Sequence, residues 1–237
     1  MPKLKYKRVL LKLSGEVFAG DGKAPIDGKV LNALAKDVKK LQDMGCQLGI
    51  VLGGGNFWRY RDFKDLKLDR VTSDTMGMLA TIMNALAFEN ALKNLGAKVR
   101  AMSAFPAPQA LETYVPKRAR HELNEGRIVI FAGGTGSPFF TTDSAAALRA
   151  LEMNCDVLLK ATKVDYVYDK DPMKYKSAKK YTKLSYQDVI EKQLEVMDLT
   201  CASLCKQGGI PMIVFNLNKK GGIEKAVTGA TIGTLIT

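Results

Sequence analysis

Apolar runs and amphipathic stretches take turns along this chain. Arg8 to Leu13 (RVLLKL) reads as a strand. From Asp27 to Met44, Val30, Leu31, Leu34, Val38 and Leu41 recur at helical spacing with lysines elsewhere, which predicts an amphipathic helix closed by Gly45. A second strand ends at Gly53, and a long helix is expected from about Asp74 to Leu95, stopped by Gly96. Strand Lys98 to Ser103, a helical segment before Gly126 and strand Arg127 to Ala132 continue the alternation. A helix near Asp143, strand Asp156 to Lys160, helices near Ser185 and Asp198 and strand Met212 to Asn216 complete it. Hairpins are expected near Lys170 to Lys183, where the period is lost. Strand and helix in turn predict an α/β fold, a three-layer α/β/α sandwich around a mostly parallel central sheet. No repeat, low-complexity tract or Pro/Ser-rich linker interrupts the pattern, so residues 1–237 read as one domain.

The second strand, QLGIVL, stops at Gly53-Gly54-Gly55. Three glycines lose more backbone entropy on ordering than other tripeptides, so they imply a sharp turn or a close approach to the bare backbone. The residues at the other strand ends decide for close approach. Lys12-Leu13-Ser14-Gly15 follows the first strand; Gly133-Gly134-Thr135-Gly136, then Lys160-Ala161-Thr162-Lys163, and Asn216 follow later ones. In an open α/β sheet the ligand crevice lies outside the carboxyl ends of the strands. Small residues, hydroxyls and lysines gathered there suit a phosphate-bearing ligand, which needs exposed N–H groups and cations.

Composition narrows the class. With 46% hydrophobic and 25% charged residues, the 237-residue chain reads as an ordinary soluble protein. It shows no apolar stretch long enough for a bilayer and no signal-peptide pattern. Cys46, Cys155, Cys201 and Cys205 are scattered and His121 is the only histidine, so a zinc site is not expected. Buried thiols in a reducing cytoplasm are. The net charge of +12 suits either nucleic acid or small polyanions. Its densest run, KDPMKYKSAKKYTK, interleaves Tyr175 and Tyr181 with lysines, yet reads better as a charged surface excursion than as a single-strand binder. P-loop, dinucleotide-fingerprint and protein-kinase motifs are absent. His121, in the polar stretch KRARHELNEG, reads as a surface residue rather than a catalytic one.

Seven blocks in order resemble the amino-acid-kinase superfamily and, within it, the bacterial-type UMP kinases: YKRVLLKLSGE, IVLGGGN, MGMLATIMNALA, GTGSPFFTTDSAA, KATKVDYVYDKDP, EVMDL and GTLIT. The resemblance covers nearly the whole chain. It implies phosphoryl transfer from ATP to UMP in pyrimidine nucleotide biosynthesis, with Mg²⁺ accompanying ATP and no dedicated protein ligands to the metal. It also implies a homohexamer, activation by GTP and inhibition by UTP, with the N-terminal part mainly holding UMP and phosphate and the C-terminal part ATP. Membrane and nucleic-acid partners are not expected. The acceptor is itself a phosphate with a second pKa near 6, so its oxygen attacks without a general base.

By this resemblance Lys12, Arg59, Asp143 and Asp198 are the catalytic candidates. Lys12, Leu13, Ser14, Gly15, Gly55, Arg59, Thr162, Tyr168 and Asp171 would meet ATP. Gly54, Asp74, Thr135, Gly136, Ser137, Pro138, Phe139, Phe140, Thr141 and Thr142 would meet UMP. Asp74, Asp143 and Asp198 read equally well as helix caps. Arg59 suits either a phosphate or a salt bridge with the nearby Asp62 and Asp65. Phe139 and Phe140 are expected to pack the loop rather than stack on uracil. The chain departs from the family at Ser137 (commonly Asn), at the bulkier Trp58-Arg59-Tyr60 (usually Phe-Arg-Gly), at Tyr166 (often Gly) and at Pro25 (expected Gly), in the Gly20–Asp27 segment associated with GTP activation. A superfamily kinase acting on a carboxylate or carbamate, and a non-catalytic nucleotide- or nucleic-acid-binding regulator, are the alternatives.

Overall fold

The computed structural model describes residues 2–62 and 64–237. Its strands are β1 (Arg8–Leu13), β2 (Gln47–Leu52), β3 (Val99–Ser103), β4 (Glu112–Thr113), β5 (Ile128–Ala132), β6 (Val157–Thr162), β7 (Val167–Tyr168), β8 (Lys180–Tyr181), β9 (Lys183–Leu184), β10 (Met212–Asn216) and β11 (Thr234–Ile236). Its helices are α1 (Gly28–Asp43), α2 (Arg70–Asn94), α3 (Pro116–Asn124), α4 (Thr142–Glu152), α5 (Tyr186–Glu191), α6 (Leu199–Gly208) and α7 (Gly222–Thr228). Nine strands form one sheet in the order β4-β3-β5-β2-β1-β6-β10-β11-β9. All neighbours are parallel except β11, which runs against β10. Strands β7 and β8 form a separate antiparallel hairpin, as expected near the basic run.

Alternation within β1 sends its side chains to two cores. Val9, Leu11 and Leu13 join Leu34, Val38, Phe88 and Val227 on the face covered by α1, α2 and α7. Leu10 points the other way, to the core that holds Ala146, Ala150, Cys201 and Val189 from α4, α6 and α5. The three-layer α/β/α sandwich is therefore present. The parallel register sets Lys12 of β1 directly beside Lys160 of β6, so both project from one face of the sheet. Two ammonium groups are held side by side by backbone geometry alone.

Several boundaries differ from the sequence pattern. Helix α2 begins earlier than expected because Asp69, not Asp74, caps it: the Asp69 carboxylate accepts from Thr72 N at 3.0 Å and from Thr72 Oγ1 at 2.6 Å. Helix α4 is capped by Thr141, whose Oγ1 accepts from Asp143 N at 3.0 Å, so Asp143 is also not a cap. Asp198 is one, accepting from Cys201 N at 2.7 Å. The cysteines are buried and free, and His121 is exposed. Among the described residues no helix is long and apolar enough to cross a membrane.

Candidate active site

Helix α4 starts immediately outside the ends of β1 and β6, and its second residue faces the two lysines. Lys12 Nζ lies 2.9 Å from Asp143 Oδ1, and Lys160 Nζ donates to Asp143 Oδ2. Lys160 is only 8% exposed. Burial raises the Asp143 carboxyl, but the charges and hydrogen bonds of Lys12 and Lys160 outweigh it and hold the group below its ordinary range. Burial, then repulsion from Lys12, pulls the Lys160 ammonium below its usual value despite Asp143. One carboxylate thus stabilises two cations that the sheet forces together. Thr142 and Ser14, next in sequence to Asp143 and Leu13, line the adjoining cleft.

That cleft is floored by glycine. A Cβ on Gly15 would come within 2.5 Å of Asn56 Oδ1 and 2.7 Å of the Gly53 carbonyl; one on Gly53 would lie 2.9 Å from Gly15 N. A Cβ on Gly54 would lie 2.7 Å from the Gly77 carbonyl of α2. The partners approaching Gly53 and Gly54 are therefore the protein's own backbone, a correction to the expectation that ligand approach alone requires the triplet. Asn84 secures the corner by donating to the Gly53 carbonyl and to Asn56 Oδ1, each at 2.8 Å. A Cβ on Gly55 would meet the Arg59 side chain first, at 3.1 Å, and Gly55 borders the cleft.

Two clefts adjoin along the carboxyl edge and a third lies farther along; they are called transfer, acceptor and donor for the roles that the resemblance implies. The transfer cleft holds Ser14, Gly15, Gly55, Arg59 and Arg70. It shares Gly54, Tyr60 and Thr142 with an acceptor cleft lined by Trp58, Ser73, Asp74, Thr81, Thr135, Ser137 and Phe140. The donor cleft lies farther along, between Thr162, Tyr166, Tyr168 and Asp171 on one side and Lys192 to Val196 on the other. Glu16 links the ends: Arg59 Nη2 pairs with its Oε1, and Lys163 Nζ lies 2.9 Å from its Oε2. Arg59 thus has its salt bridge with Glu16, and its Nε donates to the Gly55 carbonyl at 2.7 Å.

The predicted residues divide. Lys12 and Asp143 meet, Thr162, Tyr168 and Asp171 share the donor cleft, and Gly54, Asp74, Thr135, Ser137, Phe140 and Thr142 share the acceptor cleft. The Leu13 side chain is buried in the core, so only its backbone is left for a nucleotide. Asp198 lines none of these three clefts; it receives the Thr141 hydroxyl and, at 2.8 Å, Ser144 Oγ, bracing the start of α4. Gly136, Pro138, Phe139 and Thr141 shape the acceptor loop without lining its cleft. Gly136 turns at φ +85°, where a Cβ would meet the Ala104 carbonyl at 2.9 Å. Phe139 and Phe140 do not pack the loop: they are 63% and 50% exposed. Phe139 has φ +70°, and its N–H donates to Asp74 Oδ2 at 2.7 Å, which fixes the backbone and leaves the ring outside.

Sequence reasoning left Lys160 out of the catalytic set, although VLLKAT in β6 repeats the buried-lysine pattern of VLLKL in β1. It also missed Thr81, whose Oγ1 accepts from Gly133 N at 2.8 Å, and Ser73, which accepts from Trp58 Nε1 at 2.9 Å. A hydroxyl on a helix facing the core carries no local signal of such a role.

Residues 7–216 match the amino acid kinase family model. Uridylate kinases of Xanthomonas campestris pv. campestris and Xanthomonas oryzae pv. oryzae are 51% and 50% identical over 236 residues, which is 100% of this chain and 98% of each relative. The UMP kinase structure from Bacillus anthracis superimposes with a TM-score of 0.95 at 40% identity, covering 98% of this chain and 96% of that one. The UMP kinase from Ureaplasma parvum gives 0.93 at 33% identity, over 99% and 100% of the two chains. Resemblance of sequence, sheet order and strand-edge chemistry agree: the chain belongs to the amino acid kinase family.

Proposed function

We propose that this chain transfers the γ-phosphoryl group of ATP to the phosphate of UMP, giving ADP and UDP. The observation that carries the reading is the Lys12–Asp143–Lys160 cluster beside a glycine-floored cleft that opens into the acceptor cleft. An in-line transfer develops charge on the moving group and the leaving oxygen, and preorganised cations stabilise it most where water is excluded. Lys12 takes that role, and Asp143 fixes its direction. Lys160 adds charge from the neighbouring strand. An ionised acceptor phosphate supplies the nucleophile, so no side chain has to take a proton.

The donor set suits a magnesium ion carried by the ATP phosphates and water. Asp143 is engaged by two lysines, and Asp198 by Thr141, Ser144 and Cys201 N. When bound, the ion offsets phosphate charge. Self-association into a homohexamer belongs to the same reading, supported by the exposed Leu79, Met83 and Leu86 on one stripe of α2. So does control by GTP and UTP: Asn56 Nδ2 donates to the Pro25 carbonyl at 2.8 Å, joining the Gly20–Asp27 segment to the glycine corner. A cytoplasmic setting fits the buried free thiols. The deciding experiment is coupled ADP release across UMP, CMP, N-acetylglutamate and carbamate. UMP is expected to dominate; equal rates would defeat the assignment.

A further inference from the structure

Two arginines border the transfer cleft, and they are held from opposite sides. Arg59 is tied to Glu16 and the Gly55 carbonyl, on the side where Lys163 leads towards the donor cleft. Arg70 is braced entirely by the acceptor side. Its Nε donates to both Asp74 oxygens at 2.8 Å. Its guanidinium carbon lies 5.9 Å from the Tyr60 ring centroid and 5.7 Å from that of Phe139. Asp74 in turn accepts the Phe139 N–H. The first turn of α2, the Tyr60 turn and the acceptor loop therefore meet on one planar cation. Its two terminal nitrogens make no hydrogen bond to the described residues, and the side chain borders the same cleft as Ser14, Gly55 and Thr142.

An arginine held by its Nε edge keeps its terminal N–H groups free to meet two phosphate oxygens together. Building on the proposed kinase reading, we infer that Arg70 is a catalytic residue that binds the acceptor phosphate of UMP, with Asp74, Tyr60 and Phe139 fixing its plane. Tyr60 stands where the resemblance places a glycine, so its ring adds a contact that a glycine there could not make.

The test exploits Trp58, the chain's single tryptophan, which lines the acceptor cleft and reports binding by fluorescence. Wild type and Arg70→Gln are titrated with UMP and with uridine, which lacks the phosphate. The expected result is a loss of UMP affinity of roughly 10- to 100-fold, the range for a charge-assisted hydrogen bond. Uridine affinity should change less than about 2-fold on the same scale. In turnover, KM for UMP should rise with KM for ATP nearly unchanged, and Arg70→Lys should recover part of the loss. Equal weakening of UMP and uridine would overturn the inference, because Arg70 would then act only by holding Asp74 and the loop. So would a KM for ATP that rises as much as that for UMP. A wild-type chain that binds no UMP would instead overturn the kinase reading, and the inference with it.

Discussion

The transfer centre and the donor cleft sit on the same sheet edge but are built differently. At the transfer centre every charged group has a fixed counterpart: Lys12 and Lys160 on Asp143, Arg59 on Glu16, Arg70 on Asp74. The donor cleft is larger, about 560 Å³ against about 150 Å³ for the acceptor cleft. Its wall mixes Val164, Val167, Leu194, Val196 and Val214 with the carboxylates Asp169, Asp171 and Glu195 and the cations Lys170 and Lys192. Fixed charge stabilises a transition state without reorganising. A wall that grips its ligand equally well before and during a transfer lowers KM and leaves kcat alone. The two regions should therefore answer mutation in different kinetic parameters.

The sharpest test is Asp143→Asn, which leaves two adjacent ammonium groups without their carboxylate. We expect kcat to fall by about 10³-fold or more. Removing one partner of a buried ion pair should also cost roughly 3 kcal/mol of stability in urea unfolding. Its pH dependence sharpens the claim. The folded Asp143 carboxyl lies below its ordinary value, so the stability it contributes is complete above the unfolded pKa of about 3.9 and is lost as pH falls through the folded one. The wild-type-minus-Asn difference should stay flat from about pH 7 to about 5 and narrow only below about pH 4. Narrowing already in the flat range would mean that burial, not the lysines, sets this carboxyl.

Lys12→Ala comes next, with kcat down about 10²- to 10³-fold and the fold retained, because Asp143 keeps Lys160. Wild-type turnover in that variant would displace the transfer centre from β1. Gly54→Ala is a packing test on the same corner. The added methyl meets the Gly77 carbonyl at 2.7 Å and Ala80 Cβ at 2.8 Å. Overpacking of that kind should cost about 1–3 kcal/mol and push α2 away from the cleft, visible as a lower unfolding midpoint and a raised KM for UMP.

The contrast also explains what the sequence made legible. Periodic segments announce themselves, so α1 and the central strands are readable from apolar spacing, α2 from its length and the Gly96 stop, and the strand-edge chemistry follows from the alternation. Two-residue strands such as β4 and β9 have no period to read, and β11 joins the sheet only through tertiary pairing with β10 and β9. Caps shifted for the same reason. Asp69 and Asp74 are both plausible starts by residue type, and only the Thr72 contacts distinguish them. Lys12 was legible as a charge in an apolar strand. Its pairing with Lys160 was not, since it depends on β1 lying next to β6, a long-range choice of strand order. The exposure of Phe139 has no local signal, because its backbone is fixed by Asp74, far away in sequence.

The smallest expected effect is at the donor wall. Tyr166 lines that cleft and carries Lys180 of the hairpin 4.8 Å from its ring centroid, where the resemblance usually places glycine. Tyr166→Gly removes apolar wall and frees the lysine, but touches nothing that the transfer centre uses. Lost wall is lost uniform binding, so KM for ATP should rise about 2- to 4-fold with kcat and KM for UMP unchanged. A fall in kcat instead would mean that the hairpin moves with the chemistry, and that the donor cleft is as preorganised as the lysine pair beside it.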